Sequence, residues 1–278
     1  MRKLVVAVLV LFALAIGIAL GTGPLGDKID EERHPVSASA SASRSSDPLD
    51  SALATSVAPS VLAGKLTGQT VTLVVLPGAS DATVRGLSAD ITAAGGAVAS
   101  TAKLTDTFTN PGEKALIDSL GTQILAQTPG VVDATLTTYP RIGALLGVAL
   151  TTTAAPTPVT PAAATLRETF DAGELISAPI TGNLATLTLV VGGDHVDTPI
   201  LTGVLTGLRS KSRGLVLAGV ARSKDVAAVR AASLPVGTFD GVETAAGRIG
   251  SVLLLARQIT SPGGSFGASG SDGTLPLG

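Results

Sequence analysis

The sequence predicts an α/β protein whose bulk is held outside the cytoplasm by one N-terminal membrane helix. Three observations predict it. An uninterrupted apolar run from Leu4 to Leu20 follows Arg2 and Lys3. Two short Val-rich strand patterns are each followed by a helical pattern and a second strand pattern. Glycine or proline separates these segments, as turns and helix ends require.

The apolar run comes first. As a helix it would span roughly 26 Å at 1.5 Å per residue, against a hydrocarbon core about 30 Å thick. Two readings fit. One is an uncleaved anchor, and the other is a secretory signal cut after Gly21, with Ala19 and Gly21 as the small residues such a site uses. Either exports the rest of the chain, and Arg2 and Lys3 favour a cytoplasmic N-terminus. Gly17 and Gly21 form a GxxxG pair, which matches background in a chain with 33 glycines. Gly21, Gly23 and Gly26 spell GxGxxG, but no strand precedes them and Pro24 interrupts, so they do not form a dinucleotide fingerprint.

Residues 1–26 therefore read as the anchor or signal. Residues 27–62 are rich in Ser, Ala and Pro, with SASASASRSS at Ser37–Ser46, and read as a disordered spacer. His34 lies within it as a solvated side chain. Residues 63–153 and 154–260 read as two α/β halves, joined at the Pro/Thr-rich stretch Ala154–Pro161. Residues 261–278 read as a disordered Gly/Ser tail.

The halves rest on a repeated pattern. Thr70–Leu76 (TVTLVVL) is β-branched and apolar, and Pro77-Gly78 breaks it. Ser80 then opens a helix with Val84, Leu87, Ile91 and Ala94 on one face. Gly95-Gly96 ends it, and Ala97–Leu104 reads as the next strand. Thr186–Val191 (TLTLVV) repeats Thr70–Val75 (TVTLVV) 116 residues later. Thr198 and Pro199 suit an N-cap and a first turn, Leu201, Val204, Leu205 and Leu208 form the inward face, and Leu215–Val220 is the following strand. Strand, helix and strand at this spacing predict right-handed parallel crossovers. Two related β-α-β halves with parallel strands then give a Rossmann-like three-layer architecture. Further helices are expected from Asn110-Pro111, Thr160-Pro161, Ser223 and Thr244, and a strand at Leu175–Ile180. One Tyr, five Phe and these helix patterns argue against a transmembrane barrel made by this chain alone.

Composition narrows the function. Charged residues make up 14% without a Lys/Arg stripe, and aromatics 2%, so a nucleic-acid partner is not expected. There is no cysteine, which excludes disulfides, thiolate metal sites and Cys nucleophiles. The histidines are His34 and His195, and the one methionine is Met1. No Walker lysine, G-x-S-x-G elbow or zincin motif is present. We therefore expect no catalytic residues and no enzyme. In a parallel sheet, ligands bind beyond the C-terminal strand ends, which points to the loops Pro77–Asp81 and Gly192–Asp197. Asp194, His195 and Asp197 form the one polar cluster in a predicted loop. It reads either as a divalent-metal or general-base site or as a solvated turn followed by a helix cap.

Several stretches resemble the mycobacterial copper-transport MctB family: Phe12–Asp27 (FALAIGIALGTGPLGD), Arg141–Leu150 (RIGALLGVAL), Gly182–Gly193 (GNLATLTLVVGG) and Val242–Ile259 (VETAAGRIGSVLLLARQI). The Gly-rich tail after a terminal helix is similar as well. The resemblance implies a role in copper homeostasis at the actinobacterial cell envelope, as a copper-transport outer-membrane protein that lowers intracellular copper. The expected partners are the membrane and either a second copy or other envelope proteins, and the ion the resemblance implies is copper. The Ser/Ala/Pro spacer stands where members of the family carry a charged coiled coil. Copper(I) prefers Cys and Met and copper(II) prefers imidazole, so the inventory predicts an indirect role over a copper carrier. The alternative expectation is an envelope scaffold or small-ligand-binding module unrelated to copper.

Overall fold

The computed structural model describes residues 48–154, 157–193 and 195–277. The expected anchor, its glycine motifs, His34 and most of the spacer lie outside them. The described residues belong to one compact unit, Ser45–Gly278.

Six parallel strands form a single sheet: β1 (Thr70–Val75), β2 (Ala97–Lys103), β3 (Leu187–Val191), β4 (Gly214–Gly219), β5 (Gly237–Asp240) and β6 (Ser265–Gly267), in the order β2-β1-β3-β4-β5-β6. Nine α-helices accompany it among the described residues: α1 (Pro48–Leu62), α2 (Asp81–Ala93), α3 (Asp106–Thr109), α4 (Lys114–Gln127), α5 (Thr138–Leu150), α6 (Pro161–Ala172), α7 (Thr198–Lys211), α8 (Lys224–Ala231) and α9 (Ala245–Arg257). None of the described helices is long and apolar enough to cross a membrane.

Strands from both predicted halves share this sheet, and the repeat sits at its centre. β1 and β3 are neighbours, paired Thr72 to Thr188 and Val74 to Val190, so the pairing register equals the offset of the repeat. Thr186 N–H donates to Thr70 Oγ1 at 3.1 Å, and Thr70 N–H donates to Thr186 Oγ1 at 3.3 Å. The equivalent buried hydroxyls also find equivalent partners. Thr72 meets Ser100 Oγ at 2.8 Å, and Thr188 donates to Ser212 Oγ at 3.1 Å. These bonds satisfy hydroxyls that would otherwise be costly to bury.

Helices cover both faces, which is why the central strands β1, β3 and β4 are buried along nearly their whole length and do not alternate. Val71, Leu73, Val75, Leu187, Leu189 and Val191 face α1, α2 and α9. Val74, Val190, Leu215 and Leu217 face the layer built from α4 to α8. The first crossover runs outward from β1 with α2 on one face. The next runs the opposite way from β3 with α7 on the other face, so the sheet is doubly wound. The β5–α9–β6 connection is the exception. α9 lies on the α2 face although the chain still moves in the β3-to-β5 direction, so this last crossover has the opposite hand to the four before it. Its Ile249, Val252, Leu253, Leu254 and Leu255 fill the face that α7 and α8 leave uncovered.

Several expectations hold at the level of local chemistry. Thr160 caps α6 by accepting from Ala163 N–H, Ser223 caps α8 by accepting from Val226 N–H, and Thr244 caps α9 by accepting from Gly247 N–H. The N-cap of α7 is Asp197, one residue before the expected Thr198.

Three expectations are corrected. The spacer does not extend to residue 62, because Pro48–Leu62 is a helix with Ala58 and Leu62 buried against the α2–α9 face. The tail from residue 261 is not disordered. Phe266 is 3% exposed in β6, under the Arg257 guanidinium, and β6 pairs in parallel with β5 along the sheet edge. Leu175–Ile180 is not a strand. Pro179 breaks the run, and only an antiparallel bridge from Ile176 to Leu104 remains, along the outer side of β2.

Candidate functional site

The sheet order reverses between β1 and β3, and both loops singled out from sequence leave the sheet there. Gly193 lies so close to the Pro77–Ala79 backbone that any Cβ would collide with it. The position therefore requires glycine. Beside this contact lies a crevice of about 470 Å³, lined by Gly78, Ser80, Thr83, Gly192, Glu243 and Arg248 among others.

Its polar groups have few competing bonds. Ser80 is the N-cap of α2, but its side chain makes no capping bond, so the first-turn N–H groups lack that partner. Arg248 reaches across from α9 and lies 3.5 Å from Asp90 Oδ2, an ion pair too long to be a hydrogen bond. Burial raises the Asp90 pKa above the usual carboxylate value despite the Arg248 charge. Glu243 is held aside by Ala221 N–H at 3.1 and 3.2 Å from its two oxygens.

The Asp194, His195 and Asp197 cluster resolves differently. Asp194 lies outside the described residues. His195 Nδ1 is 2.6 Å from Asp225 Oδ1. Asp225 is the second residue of α8, and its side chain is 3% exposed. Val196 N–H donates to the same carboxylate, at 3.2 Å to Oδ1 and 3.4 Å to Oδ2. Asp197 is exposed and acts on Tyr139, whose phenol is pushed above its usual pKa by burial first and by the Asp197 charge second. The two described members thus serve different neighbours. Among the described residues, no group of three or more His, Asp or Glu converges as a metal cage would require.

The sequence marks the start of this helix at Ser223, and nothing local connects Asp225, two residues on, to His195. The available signal was topological: adjacent parallel strands β3 and β4 bring their C-terminal loops together.

A second polar network closes the far end of the sheet. Asp240 accepts from Arg230 Nη2 at 3.0 Å, Ser269 Oγ at 2.8 Å, Ser269 N–H at 3.1 Å and Arg222 N–H at 3.3 Å. Burial alone would raise its pKa, but these bonds outweigh burial and hold the carboxyl below its usual value. Arg230 Nη2 also donates to Phe266 O at 2.7 Å, so the network anchors the C-terminal segment.

The family model described as copper transport outer membrane protein, MctB, matches residues 1–276. The chain belongs to that family. No curated protein matches it. For an MctB-family chain, the donor set is the point of tension. With no cysteine and Met1 as the one methionine, the thiolate and thioether ligands that copper(I) selects are missing. The residues do not fit a copper(I) cage, and His195 is the one imidazole among the described residues.

Proposed function

We propose that this chain supports copper efflux at the cell envelope as a non-enzymatic component, acting through protein contacts and not as a tight copper store. Membership of the MctB family across residues 1–276 carries the copper role. The absence of cysteine, with a single methionine and two histidines, argues for the indirect mode. In this reading, residues 1–26 hold the chain at the membrane, the α/β unit lies on the non-cytoplasmic side, and its partners are a second copy or other envelope proteins. The test is growth under copper stress of a strain lacking the gene, with and without its restoration. Sensitivity that restoration reverses supports the role, and unchanged tolerance contradicts it.

A second reading follows from the switch-point crevice. Arg248 and the uncapped start of α2 suit an anionic small molecule, which would make the unit a ligand-binding module unrelated to copper. Thermal melts of the protein with phosphate and with small carboxylates test this, because a bound ligand raises apparent stability. A shift that Arg248→Met abolishes supports this reading, and no shift with either class of anion counts against it.

A further inference from the structure

Every strand pair in the sheet is parallel, so all the strands begin at one end of the unit. Helices that cross back between them finish at that end too. It carries five cations. Lys65 lies in the loop entering β1, and Arg213 directly precedes β4. Arg209 and Lys211 occupy the last turn of α7, and Arg257 that of α9. Contacts between these segments make one surface of them. Arg213 N–H donates to Thr186 O at 3.0 Å, and Thr186 Oγ1 donates to Gln69 Oε1 in the Lys65 loop at 3.2 Å. Gln258, next to Arg257, lies against Gly214, next to Arg213.

The five charges are uncompensated. Among the described residues none of them pairs with a carboxylate, whereas Lys103, Arg141, Arg230 and Arg248 each do. Arg209 donates to Pro235 O and Ser212 O, and Lys211 to Val131 O, all neutral acceptors. Lys65, Arg213 and Arg257 are exposed. Asp133 and Asp272 lie at this end too, but they are turned onto Thr135 and Ser265. A helix dipole alone accounts for cations in a last turn, but Lys65 and Arg213 stand in loops. The opposite end mixes both signs, with Asp106, Glu174, Asp197 and Glu243 exposed beside Arg222 and Lys224.

An apolar side chain stands next to the cations. Leu277 is 58% exposed, the most of any large hydrophobic residue described, and it shares a surface hollow with Arg257, Thr260 and Ser261. A soluble anion answers only the charges. An anionic bilayer answers both, because its surface potential attracts cations and its interface takes up apolar side chains.

We propose that this end of the unit is a contact face for an anionic lipid surface, with the five cations over the headgroups and Leu277 dipping between them. The inference rests on the membrane attachment proposed above and is independent of copper. The stretch between Leu20 and Pro48 spans up to roughly 90 Å when extended, so it lets either end reach the bilayer, and charge chooses the end.

The chain has no cysteine, so one introduced cysteine takes a fluorescent label at a chosen place. Full-length chains labelled at Thr260→Cys, on the proposed face, or at Ala172→Cys, at the far end of α6, are mixed with vesicles of phosphatidylcholine alone or with one-third phosphatidylglycerol. Flotation reports attachment, and quenching by neutral acrylamide reports which end is covered. The Thr260→Cys label should be shielded on the anionic vesicles alone, and high salt should reverse the shielding. Lys65→Gln, Arg213→Gln and Arg257→Gln together should abolish it, since docking falls roughly fivefold for each charge removed. Leu277→Ser should weaken it. The proposal is overturned if the chain floats with neither vesicle, if the Thr260→Cys label reads alike on both, or if the Ala172→Cys label is the one shielded. Shielding on neutral vesicles that grows with protein density overturns it as well, and assigns the face to a second copy. A chain that floats with its Thr260→Cys label open rejects this face and leaves the attachment standing.

Discussion

Gly143 on α5 lies directly against Gly207 on α7, so close that a Cβ on Gly207 would strike the Gly143 carbonyl carbon and the Pro140 oxygen. Gly143 in turn would strike the Val204 backbone if it carried a Cβ. Gly147 and Gly203 extend the contact one turn in either direction. Both helices thus present a GxxxG stripe, and the backbones meet without intervening side chains. Gly207→Val should force the pair apart and destabilise the protein by about 1–3 kcal/mol or more. In a domain of this size that lowers Tm by several degrees. An unchanged melt would mean that the helices slide past one another at no cost.

Arg167 is 7% exposed, and its Nε and Nη1 donate to Ala149 O at 2.8 Å and Gly182 O at 2.7 Å. The first carbonyl belongs to the last turn of α5, where a cation is favoured. The second belongs to the segment running along β2. Burial lowers the guanidinium pKa, yet arginine remains charged. Arg167→Lys keeps the charge but cannot span both carbonyls. We expect a loss of about 1–3 kcal/mol in urea unfolding, with the m-value unchanged.

The Asp240 network gives a pH signature. Its folded pKa lies below the usual carboxylate value, so its contribution is fully present above that usual value and is lost as pH falls through the folded pKa. Melts of the parent chain should therefore decline below about pH 4, where carboxylates begin to protonate. Asp240→Ala should lose about 1–3 kcal/mol at neutral pH, because it strips the bonds that the buried carboxylate accepts from half-buried Arg230, Ser269 and Arg222, and should show a flatter acid limb. An acid limb as steep as the parent's would assign the acid sensitivity to other carboxylates.

The C-terminal segment should behave as part of the fold. Phe266→Ala should cost about 3–5 kcal/mol, as large-to-small changes in a core do. A chain ending at Thr260 should lose more, because it strips β6 and the Ser269 bonds to Asp240 as well. If truncation left the melt unchanged, the tail would be the loose appendage its composition suggests.

The parts of the fold that were legible in the sequence were those governed by local rules. Val-rich runs between glycines gave β1 to β4, and threonine, serine and proline marked the helix starts. The repeat at Thr70 and Thr186 was legible too, although nothing in it revealed that the two strands are neighbours. What was missed depended on distant partners. β5 is only Gly-Thr-Phe-Asp, and β6 only Ser-Phe-Gly. Neither has a period of its own, and each is a strand because the preceding edge offers it backbone partners. The glycine seam of α5 and α7 lay inside runs that read as ordinary apolar sequence. In the candidate site, both loops at the strand ends were legible from the topology expected of a parallel sheet. The His195–Asp225 contact was not, because the two residues are 30 positions apart and are joined only by the adjacency of β3 and β4.

The most direct test of the account is cell-associated copper, measured by mass in a strain lacking the gene and in the same strain with the gene restored. A chain that supports copper efflux predicts raised copper on deletion and a return to the parental level on restoration. Equal copper in all three strains would contradict a role in copper efflux.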